Sequence, residues 1–180
     1  RFINNKAYDG AGINIEQATF EIAGCTFTNN QAIGVGSPDY ASAGGGIAFS
    51  KDLSSGTVTD STFTGNSATW GGAIYSNPRD TAHSVIIDGC TFTDNTASER
   101  GGGVFFNGYN LTVSNSAFTG NTAPLGESIY NGGYVLYLTK NTIDNSITCN
   151  GDVSLSENTI GGYINLGKDT TKLLSNVIIT

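Results

Sequence analysis

Short runs in which apolar residues stand two apart with a polar residue between them recur along the whole chain, as in Phe20-Glu-Ile22, Leu111-Thr-Val113 and Val153-Ser-Leu155. That alternation predicts half-buried β-strands, and no stretch carries the 3.6-residue period of a helix. The runs repeat in phase. Cys90-Thr-Phe-Thr-Asp-Asn95 is followed by Gly101-Gly-Gly-Val104, and Cys25-Thr-Phe-Thr-Asn-Asn30 by Gly44-Gly-Gly-Ile47. Ser61-Thr-Phe-Thr-Gly-Asn66 precedes Gly71-Gly-Ala-Ile74, and Ser116-Ala-Phe-Thr-Gly-Asn121 precedes Gly126-Glu-Ser-Ile129.

Aligned on Phe2, Phe27, Phe63, Phe92, Phe118, Ile143, Ile160 and Ile178, the copies are spaced by 25, 36, 29, 26, 25, 17 and 18 residues. Five positions earlier stand Ile22, Val58, Ile87, Val113, Leu138, Leu155 and Leu173. Two positions earlier stand Cys25, Ser61, Cys90, Ser116, Asn141, Asn158 and Asn176. Three positions later Asn5, Asn30, Asn66, Asn95 and Asn121 form a column, and a separate short strand carries Ile13, Ile47, Ile74, Val104, Ile129, Ile147 and Ile164. One unit of this size cannot bury its own apolar face, so successive units must stack. The expected fold is all-β: a right-handed parallel β-helix of about seven to eight coils, roughly 35 Å long at the ~4.8 Å spacing of paired strands. A β-sandwich would not keep the two phrases in phase. Phe27, Phe63, Phe92 and Phe118 are expected to stack in the core, and Asn30, Asn66, Asn95 and Asn121 to form an internal amide ladder. The stretches 31–43, 67–70, 96–100 and 122–125 read as variable turns between the Asn corner and the Gly strand.

The unbroken repeat gives one domain over residues 1–180. Both ends fall within the repeat and carry no polar cap, so a segment of a longer protein is expected. The net charge of −7 and the absence of long apolar runs argue against nucleic acid as a partner and against membrane insertion by this segment. The cysteines, three in number, read as buried thiols, with Cys25 and Cys90 two coils apart, on the order of 10 Å and too far to bridge.

Phe-x-x-Asn followed by Gly-Gly-Ala-Ile, complete at Phe63–Asn66 with Gly71–Ile74, resembles the passenger repeat of the chlamydial polymorphic membrane proteins and related autotransporter-like microbial adhesins. The match is weaker at Phe118/Asn121 with Gly126-Glu-Ser-Ile129 and absent after residue 143. The resemblance implies a pectin-lyase-like coil, an extracellular or cell-surface location and an adhesive, virulence-related role. The expected partner is a host-cell or neighbouring-cell receptor protein or surface glycan, with self-association as a further expectation.

The chain offers little catalytic chemistry. Its one histidine, His83, follows Pro78-Arg79-Asp80 and reads as a solvated loop side chain; no nucleophile elbow, phosphate loop or zinc spacing occurs, and no metal or cofactor is expected. Three surface readings remain. Adhesion would use Tyr40 and Trp70, in the same turn of adjacent coils, with Arg100 on the next, or Trp70 would simply pack over its own corner. A polysaccharide lyase or hydrolase would need Asp60 and Asp88 to converge, with Lys140 as the nearest base, and that requires a bulge at Gly89. Ice binding would use the Thr-x-Thr pairs that flank the Phe column, Thr26 and Thr28, Thr62 and Thr64, and Thr91 and Thr93, although Thr is also an ordinary outward strand residue. Adhesion without catalysis is the preferred expectation.

Overall fold

The computed structural model describes residues 1–34, 42–49, 55–77, 83–167 and 171–180. The backbone winds through four parallel sheets in a fixed order. An eight-stranded Phe sheet runs from Phe2–Ile3 through Thr26–Thr28, Thr62–Thr64 and Thr91–Thr93 to Ile178–Ile179. Next comes a four-stranded corner sheet of Lys6–Ala7, Gln31–Ala32, Ser67–Trp70 and Thr96–Arg100. A seven-stranded Gly sheet extends from Ile13–Ile15 to Ile164–Leu166, and a seven-stranded long sheet from Thr19–Ala23 to Lys172–Ser175. Every pairing between coils is parallel, in the register Phe2, Phe27, Phe63, Phe92, Phe118, Ile143, Ile160.

Two expectations from the sequence are corrected. The stretches 67–70 and 96–100, read as turns, are strands: Ser67 pairs with Thr96 and Ala68 with Ala97, and buried Ala32 and Ala97 face inward. The last coil is shifted by one residue. Ile160 pairs with Ile179 rather than Ile178, and Leu155 with Leu174 rather than Leu173, so Val177 rather than Asn176 continues the column of Asn158. The cause is local: Asn176 takes the left-handed φ of 51° that the preceding turn column requires.

Left-handed turns explain the composition of both corners of the Phe strand. Two residues after each Phe, φ is positive at Asn4, Asn29, Gly65, Asp94 and Gly120. Three residues before the same column it is positive at Gly24, Asp60, Gly89, Asn115, Lys140 and Glu157. Gly, Asn and Asp tolerate this region best, and they fill most of these sites. In the Gly strand the first two glycines answer different constraints. Gly71 has φ +63°, and a Cβ on Gly72 would strike the Gly102 carbonyl oxygen of the next coil.

Inside the coils, the rings of Phe2, Phe27, Phe63, Phe92 and Phe118 stack with centroids 4.5–4.9 Å apart and near-parallel planes. Beside them runs the amide ladder. Asn66 Nδ2 donates to Asn95 Oδ1 (2.9 Å) and to the Phe27 carbonyl (3.0 Å), while its Oδ1 accepts from the Nδ2 and backbone N–H of Asn30. The same four bonds satisfy Asn30 and Asn95. A second ladder occupies the opposite end of the Phe strand. Ser61 Oγ accepts from Cys25 N–H, Ser116 Oγ from Cys90 N–H, and Asn141 Oδ1 from Ser116 N–H; Asn141 then bonds Asn158 Oδ1. One apolar core runs from Ile22 to Ile160 between the ladders.

Replacing Asn66 with Ala strands ladder partners on both neighbouring coils. A loss of about 2 to 4 kcal/mol is expected in urea unfolding. Thr62→Ala, one residue from the same ring column but facing solvent, should change stability by less than about 0.5 kcal/mol. Equal effects of the two substitutions would contradict the ladder's role.

Candidate functional site

The outward residues fall on the four sheets, and the candidate residues distribute unevenly among them. The Gly sheet carries a second, external stack. Ala48, Tyr75, Phe105 and Tyr130 occupy the same outward row, with ring centroids 5.2 Å apart between Tyr75 and Phe105 and 5.3 Å between Phe105 and Tyr130. Trp70 folds from the end of its corner strand onto this row, 5.8 Å from Phe105 and 6.2 Å from Tyr75, and its Nε1–H donates to Glu99 Oε2 at 2.8 Å. Arg100, paired with Trp70 in the sheet, lies 5.2 Å above the Tyr130 ring. Trp70 and Arg100 are thus brought together in one partly buried cluster, with the ring face of Trp70 turned to the protein. Tyr40 lies outside the described residues.

The sequence contains the signal for this stack, since Ile47, Ile74, Val104 and Ile129 of the Gly-strand column are followed by Ala48, Tyr75, Phe105 and Tyr130, whereas Asn14, Thr148 and Asn165 follow its other members. Hydropathy alternation hides it, because the outward position of a strand is expected to be polar. Beside the stack, the outer side of the corner sheet holds a groove of about 350 Å³ lined by Gln31, Ser42, Ser67, Thr69, Thr96 and Ser98. Ser42 and Thr69 join hydroxyls across it at 3.0 Å.

The bulge that would turn Asp60 and Asp88 to one side of the pleat is absent. Asp88 pairs with Thr59 in continuous register and Asp60 stands opposite Gly89, so there is no bulge at Gly89. Asp60 sits in a left-handed turn with its carboxylate over Gly89. Asp88 Oδ1 accepts from Ser114 Oγ and Asn115 Nδ2, both at 2.7 Å, and those two hydrogen bonds hold its carboxyl below the usual range. A general acid needs the opposite shift. Lys140 also lies in the turn column, at φ 57°. Among the described residues no group of three or more His, Cys, Asp or Glu could hold a metal ion.

His83 corrects another expectation. It is 1% exposed, its Nε2 lies 2.9 Å from Ser76 Oγ, and its ring lies over Phe106. The coil closes around it because Ser76, in the inward row of the Gly strand, is small and polar where neighbouring coils carry Phe49 and Phe106.

The Thr rows are in register. Thr26, Thr62 and Thr91 pair successively, as do Thr28, Thr64, Thr93 and Thr119. Ala117 interrupts the first row before Thr142 and Thr159.

The family profile described as a right-handed beta helix region matches residues 1–179. The chain belongs to the right-handed β-helix family. Comparison with curated proteins and with solved structures returned no match. This β-helix therefore takes its fold from its family, and family membership, which spans pectate-lyase-like and non-enzymatic proteins, does not assign an activity.

The three thiols are free and differ in environment. Burial pushes the Cys90 thiol up to about 11, and burial also raises that of Cys149. Thiol reagents should label partly exposed Cys25 in the native protein and reach Cys90 and Cys149 only on unfolding. A raised folded-state value favours the neutral thiol, so this contribution to stability is complete below about pH 9 and is lost as pH rises toward 11. Cys90→Ser, which places in the column the residue already present at Ser61 and Ser116, should reduce the alkaline loss measured by thermal unfolding.

Proposed function

We propose that this β-helix is a non-catalytic segment of a secreted or cell-surface microbial adhesin that engages a receptor protein or surface glycan on a host or neighbouring cell. The observation that carries this reading is the contrast between a fixed interior and a variable flank. The ladders and Phe column repeat coil after coil, whereas the corner side changes in length and chemistry at every turn. Such a flank, set on a rigid scaffold, is where solenoids make contacts. The hydroxyl-lined groove beside Trp70 offers donors and acceptors without a fixed charge. The Asp88 carboxylate, held ionised by Ser114 and Asn115, and the absence of a bulge at Gly89 favour recognition over catalysis.

Particles coated with the chain should adhere to cells. The double variant Thr69→Arg/Thr96→Arg, which fills the groove from two coils, should lower adherence roughly tenfold, the effect of losing one well-placed contact cluster. Release of unsaturated or reducing products from a uronic-acid polymer, with no adherence, would replace this reading with a polysaccharide-cleaving one.

The register of the Thr rows favours a second reading, ice binding. The adhesin reading expects no thermal hysteresis. A hysteresis gap that disappears in Thr62→Tyr/Thr91→Tyr would establish the second reading instead.

A further inference from the structure

The outward face of the long sheet lies away from the corner sheet, since each adjoins the Phe and Gly sheets and not the other. Small hydroxylated residues are the commonest type in its three outward rows, and Ile86 is exposed in the middle one. Thr57, Thr112 and Ser154 share the middle row, and Thr59, Ser114, Thr139, Ser156 and Ser175 the row nearest the Phe strand. Against that background one patch is aromatic. Tyr109 and Tyr134 occupy successive coils in the turn entering the sheet, 44% and 57% exposed, with centroids 5.6 Å apart and planes inclined at 42°. Val135 follows Tyr134, and Tyr137 stands in the middle row, 43% exposed.

A hollow beside the Tyr137 ring has a structural cause. In the middle row Tyr137 is followed by Ser154 and then Leu173, so a small residue separates two large ones. The result is a hollow of about 140 Å³, bordered by Val135, Tyr137, Asp152, Ser154 and Leu173. In the turn row Gly151 follows Tyr134 and has no side chain of its own to set against that ring. Asp152 Oδ1 accepts the Thr171 backbone N–H at 2.7 Å, which fixes the carboxylate at the edge of the hollow.

We infer that this patch is a binding site for a neutral glycan. A tyrosine ring offers an apolar face to the C–H face of a sugar and a hydroxyl at its rim. From Tyr134 to Tyr137 is three strand residues, on the order of 10 Å, a span suited to a short stretch of oligosaccharide. Asp152, Ser154, Thr112 and Thr139 supply acceptors and hydroxyls around the rings, as the sugar hydroxyls require. The sign of the charge selects the class. Among the described residues the outward rows carry Glu21, Asp88 and Asp152 and no Lys or Arg, Lys172 standing in the register of inward Val153, so an anionic sugar laid along these rows meets carboxylates rather than a basic partner. A protein interface needs roughly 800 Å² on each partner with a dry centre, which a few tyrosines set among hydroxyls do not provide.

The inference rests on the adhesin reading only in taking surface recognition as the role, and it places a recognition site away from the corner groove. The test is a glycan array of neutral and acidic oligosaccharides probed with the whole chain, followed by titration of the strongest binder. Five proteins are compared: the parent, Tyr134→Ala, Tyr137→Ala, Tyr137→Phe and the corner variant Thr69→Arg/Thr96→Arg, each with its thermal unfolding recorded. The expected result is binding to neutral glycans that falls roughly tenfold in Tyr134→Ala and in Tyr137→Ala, with unchanged unfolding, and persists in the corner variant. Tyr137→Phe should retain most of the affinity, because it keeps the ring face. Neutral-glycan binding lost only in the corner variant would overturn this inference and keep the adhesin reading. Cell adherence without glycan binding would do the same. Binding confined to acidic glycans would overturn the charge argument and with it the site.

Discussion

The constraint on which this structure depends is the hydrogen bonding of buried amides. Apolar burial fixes the register of a solenoid coil only in part: a one-residue slip turns the core face outward and is excluded, but a slip of two residues keeps the same face inward. Asn66 removes that freedom. Its side chain has two donors and a carbonyl oxygen with two lone pairs, and all four find partners only when Asn30, Asn95 and the Phe27 carbonyl are in the observed register. Any slip would leave buried amides unsatisfied. The Ser, Cys and Asn ladder at the other end of the same strand clamps it a second time. With both corners fixed, the rings of the Phe column have one way to stack.

Because register is set from inside, the outside is free to vary. Insertions enter at the turns without disturbing the columns, and spacings as different as 36 and 17 residues belong to the same fold. The loss of the Asn ladder after Asn121 shows its limit. There the Phe column gives way to Ile143 and Ile160, and the second ladder takes over with full amides at Asn141 and Asn158. One corner is therefore held by amides at every level of the central coils, although not always the same corner.

The columns of the sequence made the interior legible, since an inward residue is conserved in kind from coil to coil by the stacking itself. What was not legible lay where that logic weakens. The corner strands are built of Ser, Ala and Thr, whose alternation carries no hydropathy contrast, so they read as turns. His83 looked solvated because its neighbours in sequence are polar, whereas the inward row places Ser76 beside it. Trp70 was identified at its turn, but the partner it covers, the row of Tyr75, Phe105 and Tyr130, stands on a face expected to be wet. The exposed patch of Tyr109, Tyr134 and Tyr137 spans two structural positions, turn and strand, that no single column joins. The last coil slipped by one because Asn176, matching Asn158 by residue type, in fact occupies the turn.

The account claims that buried side-chain amides, rather than apolar packing alone, lock the coils together. Hydrogen exchange of the Asn side-chain Nδ2 protons, followed residue by residue by NMR, tests this most directly. The account predicts that the Nδ2 protons of Asn30, Asn66 and Asn95 exchange as slowly as the backbone amides of the Phe strands, and only through cooperative opening. Exchange at the rate of solvent-exposed amides, with the strand backbone still protected, would contradict it.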